Sequence, residues 1–127
     1  MSLPVNAQVG AVPNFARNLD EARAFFVLQD EESASLRFAK LKAELWEMSA
    51  MLVWSPACGR PARFLNAKSA QGRFRVEAIL KMAKQVGHPY LHEYVVGKHI
   101  VLYAHSESVV TLFALKHQRQ LTYNAVH

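Results

Sequence analysis

The spacing of apolar residues changes period once along this chain, at Pro89, and that single change sets the class of fold. Before Pro89, apolar positions recur every three or four residues, which is one face of an α-helix. After it they alternate or run together, as strands do. Helical segments first and strands last predict an α+β architecture, with helices segregated to one face of an antiparallel sheet.

In the helical part, Phe15, Leu19, Ala22 and Phe26 fall at spacings of four, three and four. They predict a helix from Asn14 to about Gln29. Asn14 is the expected N-cap, because its side-chain oxygen can accept from the open N–H groups of the first turn. Asp30-Glu31-Glu32-Ser33 makes a short polar break. A second, longer helix runs to Trp54 on Leu41, Leu45, Met48 and Leu52, with Leu36 and Phe38 widening the stripe. Pro56 ends it. Two amphipathic helices joined by a short polar loop predict an antiparallel hairpin. Residues 57–61 read as a turn and residues 63–72 as a loop. A short third helix over 73–85 can bury Val76, Ile79, Leu80 and Ala83, with Gly87 as its C-cap and Pro89 as its stop.

The strands follow at 90–96, 99–104 and 109–115. Gly97-Lys98 makes a two-residue turn with glycine at its first central position. Ser106-Glu107-Ser108 makes the next turn. The third strand is almost wholly apolar, so it is expected to be central and covered by helices. Residues 1–13 read as an arm or a ragged edge strand, and residues 116–127 as a polar tail. The whole is one domain over 1–127, a helical hairpin on a small antiparallel sheet with an extra short helix before the C-terminal strands.

Composition narrows the classes. A length of 127 residues suits one domain, and 51% hydrophobic residues exclude disorder along most of it. No window of about 18 residues is free of charge, so no membrane span is expected. The first basic residue is Arg17, so a charged leader followed by an apolar stretch is missing. One cysteine, Cys58, allows no internal disulfide. Together these place the expected location in the cytoplasm. The net charge is +5 and the pI near 9.6. Residues 1–56 carry five Lys/Arg against seven Asp/Glu, and residues 57–127 carry ten against three together with all six histidines. The C-terminal part is therefore the basic one, and an acidic partner is the natural inference: RNA, DNA or an acidic protein segment.

The segment Tyr94-Val95-Val96-Gly97-Lys98-His99-Ile100-Val101-Leu102-Tyr103, followed by 109–121 with its ending His117-Gln118-Arg119-Gln120-Leu121, resembles the RelE/ParE superfamily of bacterial type II toxins, the plasmid stabilisation proteins. Pro56 and Gly59-Arg60-Pro61 after a helical hairpin add to the likeness, which covers roughly residues 14–123. Two departures stand out. The connection over 62–89 is longer than in compact members. His92 precedes Glu93 where many members have arginine.

The resemblance implies the toxin component of a toxin–antitoxin system, a growth inhibitor neutralised by a cognate antitoxin in a hetero-oligomer. RelE-like members cleave mRNA on the ribosome; ParE-like members inhibit DNA gyrase. The strands themselves carry one permanent cation, Lys98, which suits a binding toxin, so the ParE-like reading with gyrase as target is the first expectation. An mRNA endonuclease is the alternative, and a non-toxic degenerate binding module of the same fold is the third.

If the chain is a nuclease, its chemistry is metal-independent. A 2′-hydroxyl attacks the adjacent phosphate with help from a general base, a general acid and cations. His92, His117 and Arg119 are the candidate catalytic residues. His117 and Arg119 share a face if their strand continues through both. Arg60, Arg63, Lys116, Arg119 and Tyr123 are the candidate nucleic-acid or target contacts. His117 as a strand-end cap, and His92 as half-buried structure, are the plainer alternatives. Trp46 and Trp54 are either core or an antitoxin docking stripe. His88, His99, His105 and His127 show no metal-ligand spacing, and no metal or cofactor is expected.

Overall fold

In the computed structural model, residues 7–62, 70–87 and 90–120 are described. The elements are β1 (Gln8–Ala11), α1 (Pro13–Gln29), α2 (Glu31–Trp54), β2 (Arg60–Pro61), α3 (Ala70–Val86), β3 (Tyr90–Val96), β4 (His99–His105) and β5 (Val109–His117). The class is α+β. The sheet order is β1-β5-β4-β3-β2. Three pairings are antiparallel, but β1 lies parallel to β5 from Gln8 opposite Val109 to Ala11 opposite Leu112. The sheet is therefore mixed, where an antiparallel one was expected. Parallel pairing needs a long crossover between the strands, and here nearly the whole chain supplies it.

The helical hairpin has the expected limits, with a tighter joint. Asp30 alone separates the helices. Its N–H donates to the Phe26 carbonyl and closes α1, while its side chain accepts from the Glu32 N–H at 3.2 Å and opens α2. Replacing Asp30 with alanine should cost about 1 kcal/mol, the usual worth of an N-cap, and a urea titration would read it as a lower midpoint with unchanged slope.

Asn14 is not the cap. Val12 holds that position, with Pro13 at the first turn, where a missing N–H costs nothing. Asn14 is buried inside α1 and faces the sheet. The β1 partnership of β5 ends where the Val12 N–H reaches the Leu112 carbonyl. Beyond that point the β5 edge has lost its strand partner. Asn14 Nδ2 then donates to the Phe113 carbonyl at 3.0 Å, and Asn18 Oδ1 accepts from the Leu115 N–H at 2.9 Å. Two buried asparagines one helical turn apart thus stand in for a strand.

The sheet is covered on both faces, not one. Phe15, Phe26, Leu41, Leu45, Met48 and Leu52 of the hairpin pack on Val101, Tyr103, Val110, Leu112 and Leu115. Ala78, Ile79 and Ala83 of α3 pack on the other face, against Ile100, Leu102, Ala104, Phe113 and Ala114. Of the residues expected to bury α3, Leu80 is instead exposed and Ala78 takes its place. The helix is longer than expected, 17 residues. Gly87 ends it at φ +71°, and Gly97 makes the β3–β4 turn at φ +56°, both as expected of glycine in the left-handed region.

One irregularity decides what faces the hairpin at the end of β5. Leu102 pairs with Ala114 but Tyr103 pairs with Leu112, so Phe113 is an extra, bulged residue. The bulge reverses the alternation for the rest of the strand. Leu115 and His117, and not Ala114 and Lys116, point to the hairpin side.

Candidate functional site: a cation-rimmed histidine pair

The site begins with that reversal. His117 at the end of β5 lies directly opposite His99 at the start of β4. The two rings meet edge-on, with centroids 5.3 Å apart. Phe26 of α1 meets His99 from the hairpin side at 6.0 Å, and the Arg37 guanidinium of α2 lies 4.4 Å over the Phe26 ring. Among the described residues, three adjoining hollows meet at His117. One, of about 260 Å³, lies between α2 and the β3–β4 turn and is lined by Arg37, Lys40, Glu44, Lys98 and both histidines. The next is lined by Phe25, Arg37, Lys98, His117 and Arg119. The third carries Asn18, Glu21 and Gln120 beside the histidines. Cations distant in sequence are thus gathered at one end of the sheet.

Both imidazoles are held neutral. Burial is the main cause for His99, with repulsion from His117 and Arg37 adding to it, and its pKa is pushed down to about 4. His117 is lowered by partial burial and then by Arg119, Lys98, Lys116 and Arg37. Neutral imidazoles accept protons, and fixed cations beside them attract anions.

The consequence for stability has a definite sign. The folded pKa of His99 lies below its ordinary value of 6.5. Its contribution is therefore complete above pH 6.5 and is lost as the pH falls towards 4. The loss should be on the order of 2 kcal/mol once solvent screening is allowed for. Urea midpoints at pH 7 and pH 4.5 should draw together in His99→Asn. An unchanged gap would assign the acid sensitivity to other groups.

The residues expected to form the site are dispersed by the fold. β5 ends at His117, so Arg119 lies in the following turn. There its N–H donates to His117 Nδ1 at 3.1 Å, and its side chain is exposed. His117 and Arg119 are neighbours, though not as two side chains of one strand face. His92 belongs elsewhere. It lies opposite Tyr103, four residues along β3 from Val96, the residue opposite His99. That is about 13 Å along the strand direction. There His92 stacks on Tyr103 at 5.8 Å and approaches His105 at 4.9 Å. Tyr103 is fully buried. Its hydroxyl donates to the Pro56 carbonyl at 2.7 Å and accepts from the Gly59 N–H at 2.9 Å, and burial pushes its pKa up to about 12. This cluster ties the turn after α2 to the sheet. A side chain at Gly59 would meet the Tyr103 hydroxyl and the Glu93 carbonyl at 2.6 Å. Cys58 in the same turn has its thiol pKa raised by burial, the opposite of a reactive thiolate.

Arg60 and Lys116 occupy the α3 face. Arg60 Nε lies 3.7 Å from the buried Glu93 carboxylate. Lys116 is buried, donates to the Gln120 carbonyl at 2.9 Å, and has its pKa lowered by desolvation against the pull of Glu93. Arg63 and Tyr123 lie outside the described residues. Trp46 and Trp54 are not core: they are 79% and 63% exposed, two turns apart on α2. Sequence reasoning missed His99, Arg37 and Lys40 as site residues. Among the described residues no group of three His, Cys, Asp or Glu could hold a metal ion, and no helix is long and apolar enough to cross a membrane.

No protein-family model matches the chain, and no curated protein matches it significantly.

Proposed function

We propose that this chain is a RelE/ParE-type toxin, a ParE-like growth inhibitor that engages DNA gyrase through the cation-rimmed cleft and is neutralised by a cognate antitoxin. The observation that carries the reading is the gathering of Arg37, Lys40, Lys98 and Arg119 around His99 and His117 at one end of the sheet. Such a focus of positive charge suits an acidic or phosphate-bearing target and speeds encounter with it. The order of elements, a helical hairpin followed by an antiparallel run of strands, agrees with the family likeness of residues 14–123. The exposed Trp46 and Trp54, with Met51 and Leu36 also exposed on α2, offer an apolar surface for the antitoxin, and tryptophan is a favoured anchor in such contacts.

A second reading, the RelE-like mRNA endonuclease, is favoured by one observation: two facing neutral imidazoles with arginine beside them. That is an acid–base pair next to a phosphate site, without a metal. In this reading His117 and His99 carry the proton transfers, and His92 has no part in them.

Purified chain added to gyrase separates the two. The proposal expects supercoiling to be inhibited and a translating extract to keep its mRNA intact. mRNA cleavage with normal supercoiling would move the assignment to the second reading. Neither effect would leave a non-toxic binding module of the same fold.

A further inference from the structure

We propose that the His99–His117 cleft is a binding site for a tetrahedral phosphate dianion, and that the pair gains a proton as the anion enters. The inference concerns the ligand of the cleft and holds for either target named above.

The geometry comes first. The two rings lie edge-on at 5.3 Å, across a non-covalent pairing of β4 and β5, with backbone fixed on both strands. The charged groups facing them come from every element packed there. α1 contributes Glu21; α2 contributes Arg37, Lys40 and Glu44; the β3–β4 turn contributes Lys98; the turn after β5 contributes Arg119. Lys116 turns to the other face of the sheet, where its ammonium donates to the Gln120 carbonyl, and acts on His117 only through its charge. Four cations face two carboxylates. Glu21 already accepts from Asn18 Nδ2 at 3.3 Å, and Glu44 lies against Gly97 of the turn. Arginine offers a planar pair of donors to phosphate oxygens, and lysine a point charge.

The proton follows from the sign of the field. Without a ligand, each imidazole sees cations and a second imidazole, and stays neutral. A dianion in the hollow beside them reverses that field. The charged form of the more accessible ring, His117, then gains both an opposite charge and a hydrogen-bond acceptor. One proton moves from solvent to His117 Nδ1, which gives up the Arg119 N–H it accepts from in the free cleft, so that both ring nitrogens become donors; no covalent bond to a heavy atom breaks, and the second ring remains available as a neutral donor. Affinity for the dianion must therefore rise as the pH falls through the range where the free ring is neutral and the liganded ring is charged.

Sulfate is the probe that isolates this effect, because it is tetrahedral and stays dianionic throughout the range. Histidine Cε1–H signals followed by NMR during sulfate titrations should show saturable shifts of His99 and His117. The His117 midpoint should move up by about one pH unit, and sulfate affinity should rise about threefold between pH 7.5 and pH 6. Arg37→Gln should weaken sulfate binding at every pH. His117→Asn should leave binding that no longer depends on pH. Sulfate shifts confined to other histidines, or an unmoved His117 midpoint at saturation, would overturn the inference, and neither result touches the gyrase assay above. Adenosine 5′-monophosphate binding as tightly as a short single strand with a 5′-terminal phosphate would support a free nucleotide as the source. The 5′-phosphorylated strand binding at least tenfold tighter would support a nucleic-acid end.

Discussion

Arg37→Glu should weaken inhibition of the target about 30-fold or more, read as the concentration of purified chain that halves gyrase supercoiling. Arg37 and Lys98 both line the two larger hollows, and of the two it is Arg37 that sits over Phe26 and acts on both histidines. Its reversal places a carboxylate where the cleft otherwise presents a guanidinium. A target recognised by charge then meets repulsion at the centre of the contact and not at its rim. The effect should shrink with added salt, because the surrounding charges are solvent-facing. Lys84→Glu is the matched control. It makes the same change in net charge on exposed α3, on the opposite face of the sheet, and should alter inhibition less than about threefold. Equal losses in the two variants would mean that overall charge, and not this cleft, carries the activity.

The largest loss of stability should come from the two asparagines of α1. Asn14→Leu/Asn18→Leu removes the donor to the Phe113 carbonyl and the acceptor for the Leu115 N–H. Both backbone groups lie on an edge already abandoned by β1, with α1 packed over it. Leucine has the same branching at Cγ as asparagine and suits the neighbouring core, although its methyl groups are bulkier than the amide, which adds a packing cost of its own. Beyond that, two buried backbone groups lose their partners, each at about 1–3 kcal/mol. The pair should cost about 3 kcal/mol in urea unfolding, since neighbours on one helix face are not fully additive. Loss of less than about 0.5 kcal/mol would show that the β5 edge finds other partners.

These two residues also mark the limit of what the sequence discloses. The hairpin, α3 and the three C-terminal strands are legible because a local period writes them. Asn14 is legible only as a polar residue before an apolar stripe, and a cap is the local meaning of that pattern. Its actual role depends on Phe113, which is 99 residues away. The parallel β1–β5 pairing is hidden for the same reason. Val9 and Val12 carry no alternation that points to Val110 or Leu112.

The site was legible in part. His117 and Arg119 stand out in a basic C-terminal stretch, and the fold does bring them together. His99 looks like any polar residue opening a strand, and Arg37 like one of several charges on the wet side of a helix. Only the turn of α1 at Asp30 and the bulge at Phe113 bring them to one place. The bulge also explains the dispersal of the other candidates. In a strand one extra residue exchanges the faces of everything after it. Lys116 thereby joins Arg60 and Glu93 on the α3 face, and His117 joins His99. No spacing rule applied to residues 109–119 contains that information.

The central claim is that this cleft makes the chain a growth inhibitor, and inducible expression in a bacterial host tests it most directly. DNA and protein synthesis are followed by metabolic labelling, for the native chain and for Arg37→Glu at equal levels. The account predicts that the native chain stops DNA synthesis first, that cells filament, and that Arg37→Glu restores growth. Growth unaffected by the native chain, or arrested equally by both, would contradict it.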